Sequence, residues 1–166
     1  MRRSLLAVAP AVIAIAIAGC GSGSNHNANS SAPQMGAHPQ AAPPASATTV
    51  AVGNTKFGKI LVDAKGRSLY LFEQDKGMSS TCYGACASLW PPLTVSGSPK
   101  AGSGIVASKL GTTQRKDGKA EVTYNGHPLY YYAGDEKPGD TAGEGLNDFG
   151  AMWDVLSTTG KGIDSD

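Results

Sequence analysis

The chain has 166 residues, of which 40% are apolar, 16% charged and 7% aromatic, so its length suits about one domain and excludes a large multidomain enzyme. The 14 Lys and Arg against 13 Asp and Glu leave a formal charge of +1, with no basic surplus to neutralise a phosphate backbone. Nucleic acid is therefore an unsuitable partner, and an odd count of three cysteines leaves at least one thiol without an internal mate.

Arg2 and Arg3 precede an apolar run from Leu5 to Ala18, too short at 14 residues to span a bilayer but of the length of a secretory signal. The run ends in Ile17-Ala18-Gly19-Cys20, which resembles the lipobox of bacterial lipoproteins. That resemblance implies removal of residues 1–19, attachment of acyl chains such as palmitate to Cys20, and a cell-membrane protein anchored on the extracytoplasmic face. Two or three acyl chains hold a protein stably where one does not. Whether the membrane is an inner or an outer one is left open by Gly21, which follows the cysteine.

Residues 21–49 contain no Asp, Glu, Lys, Arg or aromatic side chain and are rich in Gly, Ser, Asn, Ala and Pro, the composition of a disordered linker. Such a tether spans about 30 Å. The working domain is expected over 50–157, where 11 basic and 11 acidic side chains balance and every aromatic residue of the chain is found, and residues 158–166 read as a flexible tail.

Within the domain, an offset of 60 matches Gly58 to Gly118, Lys59 to Lys119, Val62 to Val122, Gly66 to Gly126, Leu69 to Leu129, Tyr70 to Tyr130 and Asp75 to Asp135. A further shift of 3 aligns Trp90-Pro91-Pro92-Leu93 with Trp153-Asp154-Val155-Leu156. The domain is thus a tandem duplication, repeat one over about 55–97 and repeat two over about 115–157. Ile60-Leu61-Val62 and Glu121-Val122-Thr123-Tyr124 are β-prone and end in turn chemistry, Ala64-Lys65-Gly66 and Asn125-Gly126. In the strands that follow, alternation sets Tyr70 and Phe72 opposite Leu69 and Leu71, and Tyr130 and Tyr132 opposite Leu129 and Tyr131. Faces that are both apolar are either covered on both sides or leave one open as a binding platform. The expected architecture is all-β, a small antiparallel barrel or sandwich of two repeats with one short helical turn.

The doubled Tyr-x-aromatic-x-x-Asp pattern, Tyr70 to Asp75 and Tyr130 to Asp135, resembles the signature of the bacterial secreted-repeat lipoproteins. Cys82-Tyr83-Gly84-Ala85-Cys86 leading to Trp90 fits the same likeness, as does Lys137-Pro138-Gly139-Asp140 leading to Trp153. The resemblance implies a cell-envelope lipoprotein and no defined chemistry.

Cys82 and Cys86, four apart in a helix-prone stretch of an exported domain, suit a structural disulfide. The alternatives are an extracytoplasmic thiol-redox or electron-transfer pair, and a soft copper or zinc set with Met78 and His127. The acidic run Asp135, Glu136, Asp140, Glu144 and Asp148 lacks the alternation of a calcium loop, and Asp75 and Asp135 are placed to cap turns. No nucleophile elbow, phosphate loop or zinc-protease motif is present. The expectation is a non-catalytic binding or envelope-interaction module without cofactor or metal. Tyr70, Phe72, Asp75, Tyr130, Tyr132 and Asp135 form its candidate surface, for an envelope protein or a glycan.

Overall fold

A computed structural model describes residues 48–163. The signal segment, Cys20, nearly all of the tether and residues 164–166 lie outside the described residues. Strand β1 (Thr49–Thr55) turns through Lys56 and Phe57 into β2 (Gly58–Asp63), and β3 (Tyr70–Phe72) follows. One helical turn, α1 (Ala85–Leu89), leads to the short strands β4 (Thr94–Val95) and β5 (Lys100–Ala101). A 3-10 turn at Ala107–Lys109 precedes β6 (Leu110–Gln114), β7 (Ala120–Tyr124), β8 (His127–Pro128), β9 (Leu146–Asp148) and β10 (Ala151–Val155).

The fold is all-β, in three small sheets ordered β2-β1-β5, β3-β10-β9 and β4-β7-β6, with β8 added to β7. The sheets layer like a sandwich and do not close into a barrel. Pairing is antiparallel with one exception, β5 running parallel to β1. Each repeat begins with a strand, β1 or β6, upstream of the expected start. Residues 158–163, expected in a flexible tail, form a turn fastened to the end of β10 by Ile163 N–H to Val155 C=O at 3.1 Å and Ser157 N–H to Lys161 C=O at 2.9 Å.

The two repeats exchange their last segments. β10, from the end of repeat two, pairs with β3 of repeat one, and β4, from the end of repeat one, pairs with β7 of repeat two. Three backbone bonds form a ring in each half: Leu69 N–H to Leu61, Leu61 N–H to Leu156 and Leu156 N–H to Leu69. The counterpart runs Leu129 N–H to Val122, Val122 N–H to Leu93 and Leu93 N–H to Leu129. On the pseudo-twofold axis Tyr70 and Tyr130 exchange N–H to C=O bonds of 2.9 and 3.0 Å.

These rings correct the repeat register. Leu61, and not Val62, is equivalent to Val122, an offset of 61 that returns to 60 at Leu69 and Leu129. The cause is turn length. Tyr124 pairs with His127 across Asn125 (φ 51°) and Gly126 (φ 88°), a two-residue turn whose positive φ values suit Asn-Gly. In repeat one Asp63 closes onto Arg67 across three residues, with its carboxylate accepting Lys65 N–H at 2.8 Å and Arg67 N–H at 3.0 Å. A slip of one residue transfers a strand's side chains to the opposite face, so the register decides which residues are core.

Both strand faces are covered. Ile60, Val62, Tyr70, Phe72, Trp90, Tyr130 and Trp153 pack in one cluster with the two cysteines. Leu61, Leu69, Leu71, Leu93, Val122, Leu129 and Leu156 pack in a second on the other face.

Candidate functional site

The exchange of segments stacks the aromatic residues of both repeats into one ladder. Phe72 lies on Trp153 at 4.1 Å, Trp153 on Trp90 at 4.0 Å, and Trp90 on Tyr132 at 4.4 Å between ring centroids. Tyr70 meets Trp90 edge-on at 5.3 Å and Tyr130 meets Trp153 edge-on at 5.2 Å, so the ladder obeys the same pseudo-twofold symmetry as the backbone. Each such pair contributes about 0.5–1.5 kcal/mol beyond the burial of its area. Gly143 lies so close that a Cβ there would come within 2.7 Å of Trp90 Cη2 and 2.9 Å of Tyr132 Cγ, and only glycine fits.

Three of the four rings expected on a binding surface are therefore core. Tyr70 and Tyr130 are fully buried and Phe72 is 3% exposed, because Trp90 packs edge-on to Tyr70, Trp153 edge-on to Tyr130, and the other repeat's Trp153 stacks on Phe72. Tyr132 alone is half-buried, at the open end of the ladder.

The recurring Tyr and Asp residues are joined across the axis, Tyr70 Oη donating to Asp135 Oδ2 at 2.7 Å and Tyr130 Oη to Asp75 Oδ2 at 2.7 Å. Both aspartates also cap turns: Asp75 accepts Thr81 N–H at 2.7 Å and Asp135 accepts Ala142 N–H at 2.8 Å. Burial pushes both phenols and both carboxyls above their usual ranges, and the acidic neighbour raises each phenol further. The phenols thus remain protonated donors and serve the fold.

The surroundings of the two aspartates differ. Beside Asp75 the Tyr130 hydroxyl contacts Ser80 Oγ at 2.7 Å, and Arg115 Nη1 donates to Ser80 at 2.6 Å and to Glu121 Oε2 at 2.9 Å. Arg115 Nη2 donates to Cys82 C=O at 2.8 Å, and its guanidinium lies 4.4 Å over the Tyr83 ring. The Arg115 and Glu121 side chains are 1% and 0% exposed, and Glu121 Oε1 has no partner among the described residues. Burial pushes the Glu121 carboxyl up to about 7, against the hydrogen bond from Arg115 that pulls it down. Nothing in the repeat pattern marks these two residues. The available signal was an isolated glutamate inside the β-prone run 120–124.

Asp135 instead lies at the rim of a cleft of about 240 Å³, lined by Arg67, Ser68, Pro91, Tyr131 and Tyr132. Arg67 stands 4.0 Å over the Tyr131 ring while its Nε donates to Asp63 Oδ2 at 2.9 Å, and Tyr131 Oη donates to the same oxygen at 3.2 Å. The cleft thus combines two aromatic faces, a proline and a cation, with its walls held by Asp63.

Cys82 and Cys86 form a disulfide with Cα atoms 5.3 Å apart, and both residues are buried beside Trp90. Bonded to each other, the two sulfurs supply no free thiolate ligand beside Met78 and His127. In the acidic run, Asp140 caps a turn by accepting Glu136 and Lys137 N–H at 3.1 Å each, and Glu144 accepts Val155 N–H of β10 at 2.6 Å. Among the described residues no three His, Cys, Asp or Glu side chains gather as a metal site.

The chain is similar over residues 51–94, and again over 111–157, to a family described as a secreted repeat of unknown function. The two matches cover more than half of the chain and coincide with the two structural repeats. No curated protein and no solved structure matches it. A secreted repeat works outside the cytoplasm, where a disulfide such as Cys82–Cys86 persists.

Proposed function

We propose that this chain, which belongs to the secreted-repeat family of unknown function, is a lipid-anchored extracytoplasmic module that binds an envelope protein or glycan without catalysis. The anchor reading rests on the basic, apolar and small-residue run ending at Cys20. Within the domain, the reading is carried by the one break in the aromatic ladder: Tyr132 ends the stack half-exposed in a cleft with Tyr131, Pro91 and Arg67. Exposed tyrosine and arginine around a concave site supply broad contact area at small entropic cost, the composition of binding hot spots. The tyrosines and aspartates of the recurring motif are engaged in holding turns and in cross-repeat bonds, which supports a non-catalytic reading. The disulfide serves this module by fixing the turn that leads into Trp90.

Because Trp90 stacks directly on Tyr132, a ligand in the cleft alters indole fluorescence. Titration of the full chain with cell-wall glycan fragments and with purified envelope proteins should give a saturable change that Tyr132→Ala removes. Equal binding by the variant would move the contact surface elsewhere. Cys20→Ala should release the protein from the membrane fraction, and its retention there would refute the anchor.

A further inference from the structure

The corrected register makes Val52 of β1 equivalent to Thr112 of β6, since they pair with Leu61 and Val122 respectively. The outer edge of β1 is filled at that point by the segment that links the repeats. Val52 N–H donates to Ser103 C=O at 3.0 Å, Lys100 N–H to Thr48 C=O at 2.8 Å, and Gly102 N–H to Val50 C=O at 2.7 Å. Among the described residues, the outer edge of β6 has no such strand. Arg115 N–H donates to Lys119 C=O at 2.9 Å and Asn125 N–H to Lys109 C=O at 2.8 Å, so alternation turns the odd-numbered positions of β6 toward β7. The N–H and C=O groups of Thr112 and Gln114 point the other way, where they have no partner among the described residues.

That edge borders a groove of about 220 Å³, with Leu110, Gly111 and Thr112 on one side and Ser98, Pro99 and Ala101 of the linking segment on the other. Lys100 and Gly102 direct their N–H groups to β1, so alternation turns the backbone of Ala101 away from β1. The groove therefore presents unpaired backbone of β6 opposite the unpaired side of β5. Native edges are usually guarded by charge or proline, but β6 reads Leu-Gly-Thr-Thr-Gln and the groove lining carries no charged side chain.

We propose that this groove, with the β6 edge that runs on past it to Gln114, is a strand-addition site, taking an extended, uncharged, small-residue peptide segment of a partner polypeptide onto Thr112 and Gln114 as Lys100–Ser103 adds to β1. The chain itself supplies the template for the occupant: Ala101-Gly102-Ser103-Gly104 is small and uncharged. Main-chain hydrogen bonds give such binding its affinity, and the neutral lining disfavours charged occupants. The site is separate from the Tyr132 cleft and stands or falls without it.

The probe is an acetylated and amidated peptide with the sequence of residues 101–106, added to the full chain while amide hydrogen exchange is followed residue by residue. Saturating peptide should slow exchange at Thr112 and Gln114 by about tenfold or more, the order of one added hydrogen bond. Thr112→Pro removes an outward N–H without breaking a bond to β7, so it should weaken the peptide by a similar factor and leave the unfolding midpoint in place. Should that variant fail to fold, the same peptide N-methylated at alternate residues must not bind the unmodified chain. The proposal is overturned if millimolar peptide leaves the two amides unchanged, or if the N-methylated peptide binds equally. It is also overturned if the two amides are already protected by self-association, which would assign the edge to a second copy.

Discussion

Asp75 and Asp135 follow equivalent strands and accept the opposite repeat's tyrosine at the same 2.7 Å, yet Asp75 is buried on the border of a cleft shared with Phe72, His127 and Lys161, while Asp135 is half-buried at the rim of the Tyr132 cleft. The difference originates on neighbouring strands. Repeat two carries Glu121 in β7 where the register gives Ile60 in β2, and Glu121 brings Arg115 and Ser80 into a buried network around the Asp75 latch. Around Asp135 no such pair forms, and the end of the ladder at Tyr132 stays accessible. Two copies of one hydrogen-bonded latch thus support the fold symmetrically, while polar groups added around one copy bury it more deeply than the other.

The contrast breaks most severely if the buried ion pair is halved. Glu121→Leu leaves the Arg115 charge buried and unable to lose its proton, and should lower the unfolding free energy by about 3–5 kcal/mol in denaturant titration. Its equivalent Ile60→Val should cost about 0.5–1.5 kcal/mol, and equal losses would mean that the network is no more than packing. At the two ends of the ladder, Phe72→Ala should cost about 3–5 kcal/mol, and the half-exposed Tyr132→Ala clearly less. Similar losses at both ends would show that the Tyr132 end is not open.

The latches themselves separate next. Tyr130→Phe leaves Asp75 and Ser80 without their buried partner and should cost about 1.5–3 kcal/mol, more than Tyr70→Phe beside the cleft; a reversed order would refute the asymmetry.

The remaining contrast is in pH dependence. Folded, Glu121 holds its proton up to about pH 7, against its usual 4.5, so between those values the folded state binds more protons than the unfolded one. Stability from this group is full below its unfolded value and is lost as pH rises through about 7, with a slope of at most about 1.4 kcal/mol per pH unit. The raised carboxyls of Asp75 and Asp135 act with the same sign. Subtracting the Glu121→Gln melting profile from that of the unsubstituted chain isolates this contribution, and a flat difference would refute it.

The repeat, its strands and the Asn125-Gly126 turn were legible because they depend on local pattern: alternation, turn chemistry and the recurrence of Tyr, aromatic and Asp at fixed spacing. The Cys82–Cys86 bridge was legible for the same reason, four residues being within reach of one helical turn. The register of β2 was not, since the extra residue between Asp63 and Arg67 is hidden by chance matches such as Val62 with Val122. Nor did alternation reveal that both faces would be covered, with Tyr70, Phe72 and Tyr130 turned from a surface into a core. The pairing of Arg115 with Glu121 has no mark in the sequence, because it depends on strand packing that no linear spacing records.

By itself, the sequence determined an exported, neutral, aromatic-rich all-β domain of two repeats, because composition and short-range periodicity are properties of neighbouring residues. Only the tertiary structure decided that the repeats exchange Trp90–Leu93 and Trp153–Leu156, and that this exchange buries three rings and leaves Tyr132 at the rim. Burial is set by what packs on a face, and here contacts between the repeats, Phe72 on Trp153 and Trp153 on Trp90, complete the packing that neighbours in the chain begin.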